Sequence, residues 1–273
     1  HSTGSGGGIA VAECSPVLSH LIVRNSWAAV NGGGIYMAYG SPMLSNVTTV
    51  HNTATYGGGV YMETATPTVA AMTIDSNSAV QRGGGMYMNT STPLLSNTTV
   101  QYNSASFGGG VYIDGSEVNL STLTVSYNQS VNDGGGISAD NAVVGLSNST
   151  VASNTGNFGG GIYTSMSRLY LDSTVVTGNT ANFTGGGIYI ETGILYATNA
   201  TLSYNTAINS LGGGAYISLF EPELDVSDFI GSTLPGFSHS DIVGNHVQGL
   251  YGGGLYITSS SGLAQPHAAD TQP

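Results

Sequence analysis

One repeat position in this 273-residue chain holds the polar residues best suited to chemistry. It lies six residues after the first glycine of a Gly-Gly-Gly triplet, and its acidic or amide occupants are Glu63, Asn89, Asp114, Asp140 and Glu191. Asp114 and Asp140 belong to adjacent repeats. If the repeats stack as strands, these carboxylates lie about 5 Å apart, which suits a retaining glycosidase. Stacked like charges also favour a cation, so Glu63, Asp114 and Asp140 are weak candidates for Ca²⁺ ligands.

The surroundings of these acids argue against catalysis. A glycine follows Asp114 directly and an asparagine follows Asp140, as in a solvated turn. The arginines occupy other repeat positions, and we expect none on the acidic face; they are Arg24, Arg82 and Arg168. The six histidines share no repeat position, and no metal-ligand spacing occurs. We therefore predict that the protein is not an enzyme and has no cofactor and no metal.

Composition and charge exclude several classes of function. The chain has three basic residues, all arginine, against 15 acidic residues, and its formal net charge is −12. It lacks the positive surface that nucleic acids and anionic lipids require. No run approaches the ~18 apolar residues of a membrane helix, so no membrane span is expected. The chain opens at His1 without a signal peptide, as a processed mature chain would.

Glycine triplets divide the chain into repeats. Ten triplets begin at Gly6, Gly32, Gly57, Gly83, Gly108, Gly134, Gly159, Gly185, Gly212 and Gly252. Successive triplets are 25 to 27 residues apart, except for the last pair at 40. A fixed period of this length is typical of a solenoid, in which each repeat buries its apolar face against its neighbours. We number repeat positions from the first glycine of each triplet, so the acids above occupy position 7.

Positions 4 to 6 alternate between apolar residues and tyrosine, which predicts a strand. Positions 4 and 6 should face the core, and position 5 should form an exposed aromatic ladder. The ladder tyrosines are Tyr36, Tyr61, Tyr87, Tyr112, Tyr163, Tyr189, Tyr216 and Tyr256. They either suit an outer strand face or form a flat surface that binds glycans or a lateral partner chain.

Two more strands and an asparagine corner complete each repeat. Apolar residues predict a second strand ending near position 13 and a third at positions 16 to 18. Asparagine recurs at position 21, where left-handed backbone geometry would favour it. These corner asparagines are Asn52, Asn77, Asn103, Asn128, Asn154, Asn179, Asn205 and Asn245. The sequence therefore predicts an all-β fold, a single parallel β-helix of about ten coils with three short strands per coil.

The repeat resembles that of a known group of proteins. Residues 100–112, Val-Gln-Tyr-Asn-Ser-Ala-Ser-Phe-Gly-Gly-Gly-Val-Tyr, resemble the repeat of right-handed parallel β-helix surface proteins of the polymorphic outer-membrane and autotransporter-passenger type. Their signature is Phe-x-x-Asn followed by Gly-Gly-Ala/Ile/Val. This chain departs from it by carrying Val, Ile or Leu in place of Phe, and by a third glycine. The resemblance implies a right-handed coil and an extracellular or cell-surface location, and it supplies no catalytic residues.

Eight asparagines start an Asn-x-Ser/Thr acceptor for N-glycosylation: Asn46, Asn89, Asn97, Asn119, Asn128, Asn148, Asn182 and Asn199. Chance explains their number in a chain rich in Asn, Ser and Thr. It does not explain that Asn46, Asn97, Asn148 and Asn199 share position 15 of alternate repeats, 51 residues apart. We predict a row of N-glycans there. Asn128 is also a corner residue, which argues against its modification.

The ends of the chain and one insertion complete the domain prediction. The β-helix spans residues 1–257, with an inserted loop at about 226–240, and a polar tail follows at 258–273. The loop carries apolar residues that would cap the helix or dock on another subunit: Phe229, Leu234, Pro235 and Phe237. No capping helix precedes the first triplet, so we expect head-to-tail self-assembly.

Three functions follow from these patterns. The leading hypothesis is an extracellular, N-glycosylated structural protein that assembles into a filament or surface layer. The first alternative is an adhesin or autotransporter-like passenger that binds glycans through the tyrosine face. The second is a polysaccharide lyase or hydrolase centred on Asp114 and Asp140.

Overall fold

A computed structural model describes residues 3–219, 236–248 and 251–259 of the chain. Over these residues it contains 32 β-strands and no helix. All paired strands are parallel, and each strand pairs with the equivalent strand of the next coil. The prediction of an all-β, parallel β-helix is confirmed. Eight coils contribute strands to all three sheets, and the first sheet alone has ten strands.

The first sheet is built from positions 4 to 7 of each repeat. Its strands are β1 (Ile9–Ala12), β3 (Ile35–Ala38), β6 (Val60–Glu63), β10 (Met86–Asn89), β13 (Val111–Asp114), β16 (Ile137–Asp140), β20 (Ile162–Ser165), β24 (Ile188–Ile190), β28 (Ala215–Leu219) and β32 (Leu255–Ser259). The register places equivalent positions side by side, so that Tyr87 lies opposite Tyr112. Side chains at positions 4 and 6, such as Met86 and Met88, are fully buried in the core, as predicted.

The second sheet contains both of the other predicted strands. Its 14 strands are β2 (Val17–Arg24), β4 (Met43–Val50), β7 (Thr68–Ala70), β8 (Thr73–Asp75), β11 (Leu94–Gln101), β14 (Glu117–Ser126), β17 (Val143–Ser147), β18 (Thr150–Ala152), β21 (Ser167–Asp172), β22 (Val175–Thr177), β25 (Gly193–Thr198), β26 (Thr201–Ser203), β29 (Gly236–Ser238) and β30 (Asp241–Val243). One residue of positive φ at position 15, such as Asn97, divides them. The apolar side chains on either side of it, such as Leu95 and Val100, enter the core.

The third sheet was not predicted. It follows the corner asparagine and contains β5 (Thr53–Tyr56), β9 (Ser78–Arg82), β12 (Ser104–Ala105), β15 (Gln129–Ser130), β19 (Thr155–Phe158), β23 (Thr180–Thr184), β27 (Thr206–Ala207) and β31 (His246–Val247). These strands are rich in Ser, Thr and Asn, and most bury a single small side chain, such as Ala79 or Ala105. So short a polar segment has no readable period of two.

The corner asparagines tie each coil to the next. The Asn128 side-chain amide donates to the Val100 carbonyl at 2.9 Å and to Asn154 Oδ1 at 3.0 Å. Its own Oδ1 accepts the backbone N–H and the side-chain amide of Asn103, at 2.9 and 3.0 Å. The prediction that these asparagines adopt left-handed geometry is wrong. The residue before each one does so, as at Tyr127 with φ 56°. The asparagine suits the corner because its side chain makes these buried hydrogen bonds.

Each of the three positions of a triplet requires glycine for a different structural reason. In the sixth coil, Gly134 has a positive φ of 62°. A β-carbon on Gly135 would lie 2.4 Å from the carbonyl oxygens of Thr155 and Gly160. A β-carbon on Gly136 would lie 2.9 Å from the side-chain nitrogen of Asn154, the corner residue of the same coil. The triplet therefore makes room both for the next coil and for the corner asparagine.

Only part of the predicted insertion is described. Strand β29 pairs Phe237 with Ala197, so residues 236–240 belong to the coil and were wrongly placed in the loop. Phe237 packs against the hydrophobic core. Phe229, Leu234 and Pro235 lie outside the described residues, as does most of the predicted tail, whose first two residues extend β32.

Loss of one corner amide should destabilise the protein strongly. We expect Asn154→Ala to lower the free energy of unfolding by about 2–4 kcal/mol, because it leaves buried backbone groups unpaired. Asn209→Ala is the matched control. Its amide is exposed and donates to the Asn182 carbonyl, so we expect a loss of less than about 1 kcal/mol. Chemical denaturation of both variants measures the difference, and equal midpoints would refute the role given to the corner.

Candidate functional site

The tyrosine ladder lies on the outer face of the first sheet but is not exposed. Tyr112 is 2% exposed, Tyr87 5% and Tyr61 6%. Tyr163 is also buried, whereas the four ladder tyrosines nearer the ends are half-buried: Tyr36, Tyr189, Tyr216 and Tyr256. The prediction of an exposed aromatic face is therefore wrong for the middle of the ladder, and the proposed glycan surface made by these rings is not available there.

Neighbouring side chains cover the ladder. Several residues that directly precede a triplet lie beside the tyrosines. Tyr56 and Phe107 pack against the buried cluster, and the Tyr56 ring centre is 6.0 Å from that of Tyr87. Arg82, at the same repeat position, lies over Tyr112 with its Cζ 4.9 Å from the ring centre. These residues form a second, small hydrophobic layer outside the first sheet. The alternation pattern could not reveal it, because it predicts only the inner core.

The acids at position 7 accept hydrogen bonds from this ladder. In each case the tyrosine of one coil donates its phenol to the acid of the next, as in Tyr36–Glu63, Tyr87–Asp114, Tyr112–Asp140 and Tyr163–Glu191. The Tyr36–Glu63 distance is 2.7 Å. At Tyr61 the partner is Asn89, whose amide donates to the phenol oxygen at 3.3 Å. Burial raises the pKa of Tyr87 and of Tyr112 well above the ordinary value for a phenol, so these side chains stay protonated donors at neutral pH.

One arginine does reach the acidic row. The Arg82 Nη1 lies 3.6 Å from Asp114 Oδ2, although the sequence predicted no arginine on that face. Its long side chain extends from the residue before a triplet, across Tyr112, to the acid of the next coil. Both partners are about a third exposed, so this ion pair contributes little to stability. It compensates one of the carboxylates in the row.

The outer layer is interrupted at the sixth coil. Ser138 replaces the ladder tyrosine between Tyr112 and Tyr163, and Asp133 occupies the position held by Phe107 and Phe158 in the neighbouring coils. The Ser138 hydroxyl is buried without a hydrogen-bond partner.

The acids around this break have raised pKa values. Burial, together with the charges of Glu191 and Asp140, raises the pKa of Asp133 to about 6. Burial also raises the pKa of Asp140, against the hydrogen bond from Tyr112 that lowers it. The break is therefore the most electrostatically strained part of the acidic row.

The weak Ca²⁺ candidates do not form a site. Glu63, Asp114 and Asp140 each accept a different tyrosine, and in the described part of the chain no three His, Cys, Asp or Glu side chains are placed to hold a metal ion. Asp114 and Asp140 remain on adjacent strands of the first sheet, directly opposite one another in register. Each of these two carboxylates accepts a hydrogen bond from a tyrosine of the preceding coil.

The four position-15 asparagines form an exposed row. Asn46, Asn97, Asn148 and Asn199 are exposed, and their φ angles lie between 48° and 53°. The coils between them have the same backbone geometry with Ala71, Thr122 and Ser173 in this position. Left-handed geometry explains why asparagine suits the position but not why it alternates with other residues.

The other acceptors differ in their exposure. Asn119 and Asn182 are exposed, whereas Asn89 is half-buried against Tyr61. Asn128 is 1% exposed and its side chain is fully engaged in the corner ladder. Its prediction as a glycosylation site is therefore wrong.

The interrupted layer predicts a dependence of stability on pH. Because the folded-state pKa of Asp133 exceeds its ordinary value of 3.8, the protonated side chain stabilises the fold at low pH, and that stabilisation is lost as the pH rises through about 6. We expect Asp133→Asn to raise the unfolding free energy at pH 7 by roughly 1 kcal/mol, after allowance for solvent screening. Thermal unfolding at pH 7 and pH 3 measures this. The gain should vanish at pH 3, and an unchanged or less stable variant at pH 7 would contradict the assignment.

Comparison with known proteins agrees with this architecture. The family described as "Right handed beta helix region" matches residues 2–155, more than half of the chain. No curated protein and no solved structure matches the chain significantly. In the described segments, no helix is long and apolar enough to cross a membrane. The parallel three-sheet coil, its glycine corners and the family match lead to one conclusion: the chain belongs to the right-handed β-helix family.

Proposed function

We propose that this protein is an extracellular structural β-helix that carries N-linked glycans along one edge. The observation that supports the proposal best is the exposed row of Asn46, Asn97, Asn148 and Asn199. Each is followed two residues later by a threonine in the next strand segment, as the acceptor motif requires. A right-handed β-helix is compatible with surface and structural roles, and also with enzymes.

The alternation of the row fits the space that glycans need. Neighbouring coils lie roughly 4.8 Å apart, so asparagines in alternate coils are separated by roughly 10 Å. In the coils between them, position 15 is Ala71, Thr122 or Ser173, none of which starts an acceptor motif. This spacing lets each sugar leave the edge without meeting its neighbour. Attached sugars would also supply the hydration that a chain with only 7% charged residues lacks.

Enzymatic release of N-glycans tests the proposal. Native protein treated with an N-glycosidase should lose mass, and peptide mapping in ¹⁸O-water should show labelled aspartate at Asn46, Asn97, Asn148 and Asn199. Asn128 is the internal control, because its side chain is buried and hydrogen-bonded in the corner, which leaves no room for a sugar in the folded protein. An unchanged mass for native material, or labelling at Asn128 alone, would refute the proposed row.

We further propose that the acidic row is structural and that the protein is not an enzyme. The hydrogen bonds of the row support this proposal. The phenols of Tyr87 and Tyr112 donate to Asp114 and Asp140, the pair of carboxylates that a glycosidase mechanism would need. We expect no reducing-sugar release from a polysaccharide panel, with or without Ca²⁺. Asp140→Asn is the control variant. Release that this substitution abolishes would establish a catalytic role for the row.

Head-to-tail self-assembly stays a prediction. It comes from the sequence patterns and is independent of the glycan row. A negative result for either hypothesis would therefore leave the other one standing.

A further inference from the structure

A groove of about 440 Å³ lies on the outer face of the second sheet. Its principal lining residues occupy position 12 on four consecutive coils: Asn119, Gly145, Tyr170 and Tyr196. Ser147 and Asp172, two residues further along their strands, add polar groups to one side. The groove is on a different sheet from the tyrosine ladder and the acidic row, and neither the family match nor the acceptor motifs assign it a role.

Gly145 opens this groove. Its backbone is outside the left-handed region, so any residue suits its conformation. A β-carbon there would approach only one atom closely, the Asn119 Oδ1 at 2.5 Å, which belongs to a flexible side chain. The triplet glycines, by contrast, are hemmed in by backbone oxygens. Neither geometry nor packing therefore requires glycine at position 145, and its effect is to leave a gap between Asn119 and Tyr170.

Tyr170 provides an aromatic wall for the gap. The Tyr170 and Tyr196 rings are stacked, with centres 4.8 Å apart and planes within 3° of parallel. Tyr196 covers the ring face directed toward the following coil, so the opposite face of Tyr170 borders the space above Gly145. Tyr170 is 39% exposed, which leaves this face open to a ligand. A rigid pair of parallel rings presents such a face at little cost in conformational entropy.

The polar groups around the gap suit a hydroxylated ligand. The Asn119 amide, the Ser147 hydroxyl and the Asp172 carboxylate can donate to or accept from sugar hydroxyls. The lining contains one carboxylate and no basic side chain, and Arg168, two residues before Tyr170, is outside it. With a net charge of −12 on the whole chain, this arrangement disfavours uronic acids and sulfated sugars. The volume lies within the usual range of small-ligand sites.

We propose that this groove binds an uncharged pyranose oligosaccharide. One sugar ring stacks its apolar face on Tyr170 above Gly145, and its hydroxyls bond to Asn119 and Asp172. Binding here does not depend on the glycan row of the proposed function. It does exclude one modification: a glycan attached to Asn119 would occupy the same space, so the free groove requires Asn119 to be unmodified.

Calorimetry on the full chain, produced without N-glycosylation, tests the inference. The probes are hexamers of glucose, mannose, xylose and N-acetylglucosamine, with oligogalacturonate as the acidic comparison. We expect at least one neutral hexamer to bind with a Kd below about 1 mM. Tyr170→Asn and Gly145→Val should each weaken that binding at least tenfold, the first by removing the stacking face and the second by filling the gap.

The matched control is Tyr102→Asn. Tyr102 and Tyr127 form another stacked pair, with ring centres 5.1 Å apart and planes within 8°, outside the groove. This variant should bind as the unmodified sequence does. Thermal unfolding of all three variants checks that they fold. No binding of any neutral hexamer, or equal binding by Tyr170→Asn and Tyr102→Asn, would overturn the proposal. Tighter binding of oligogalacturonate would overturn its restriction to uncharged sugars.

Discussion

The contact between the third glycine of a triplet and the corner asparagine controls the architecture of this protein. In the eight coils with a corner asparagine, a β-carbon on that glycine would crowd the asparagine side chain and a carbonyl oxygen of the next coil. At Gly136 the distances are 2.9 Å to Asn154 and 2.7 Å to Gly161. The Asn154 amide reaches both a strand carbonyl and the asparagine of an adjacent coil. Glycine alone provides the space, and asparagine alone provides a donor and an acceptor of this size. These two positions meet in every coil that carries the asparagine, even where the insertion separates Gly214 from Asn245.

The outer layer on the first sheet explains how a chain with few charges uses its acids. Tyrosines that would be exposed on an isolated strand are covered by Tyr56, Arg82 and Phe107. Their phenols need acceptors once they are removed from water, and the carboxylates of the next coil supply them. Aromatic and acidic positions therefore form one structural unit. At Ser138 and Asp133 the unit is interrupted, and the burial that is compensated elsewhere appears there as a raised pKa at Asp133.

The sequence predicts the elements that depend on period and fails where a contact joins distant positions. Alternation located the first sheet and the core residues of the second, because burial there follows simple periodicity. It missed the third sheet, whose strands bury little more than one small residue such as Ala79. It placed Tyr112 at the surface and Arg82 away from the acids, because a repeat position says nothing about which long side chains fold over a neighbouring coil. The groove at Gly145 depends on four coils at once and leaves no motif.

The asparagine ladder also gives the molecule a direction. From Asn52 to Asn205, each corner asparagine donates its side-chain amide to the Oδ1 of the corner asparagine in the next coil, as in Asn52–Asn77 and Asn205–Asn245. These amide-to-amide bonds all point the same way along the chain, so the two faces of such a coil are chemically different. Because these corner bonds repeat from coil to coil, the corner itself sets no limit on the number of coils. Length is then a free variable in this fold, while the position of each residue within its coil is not.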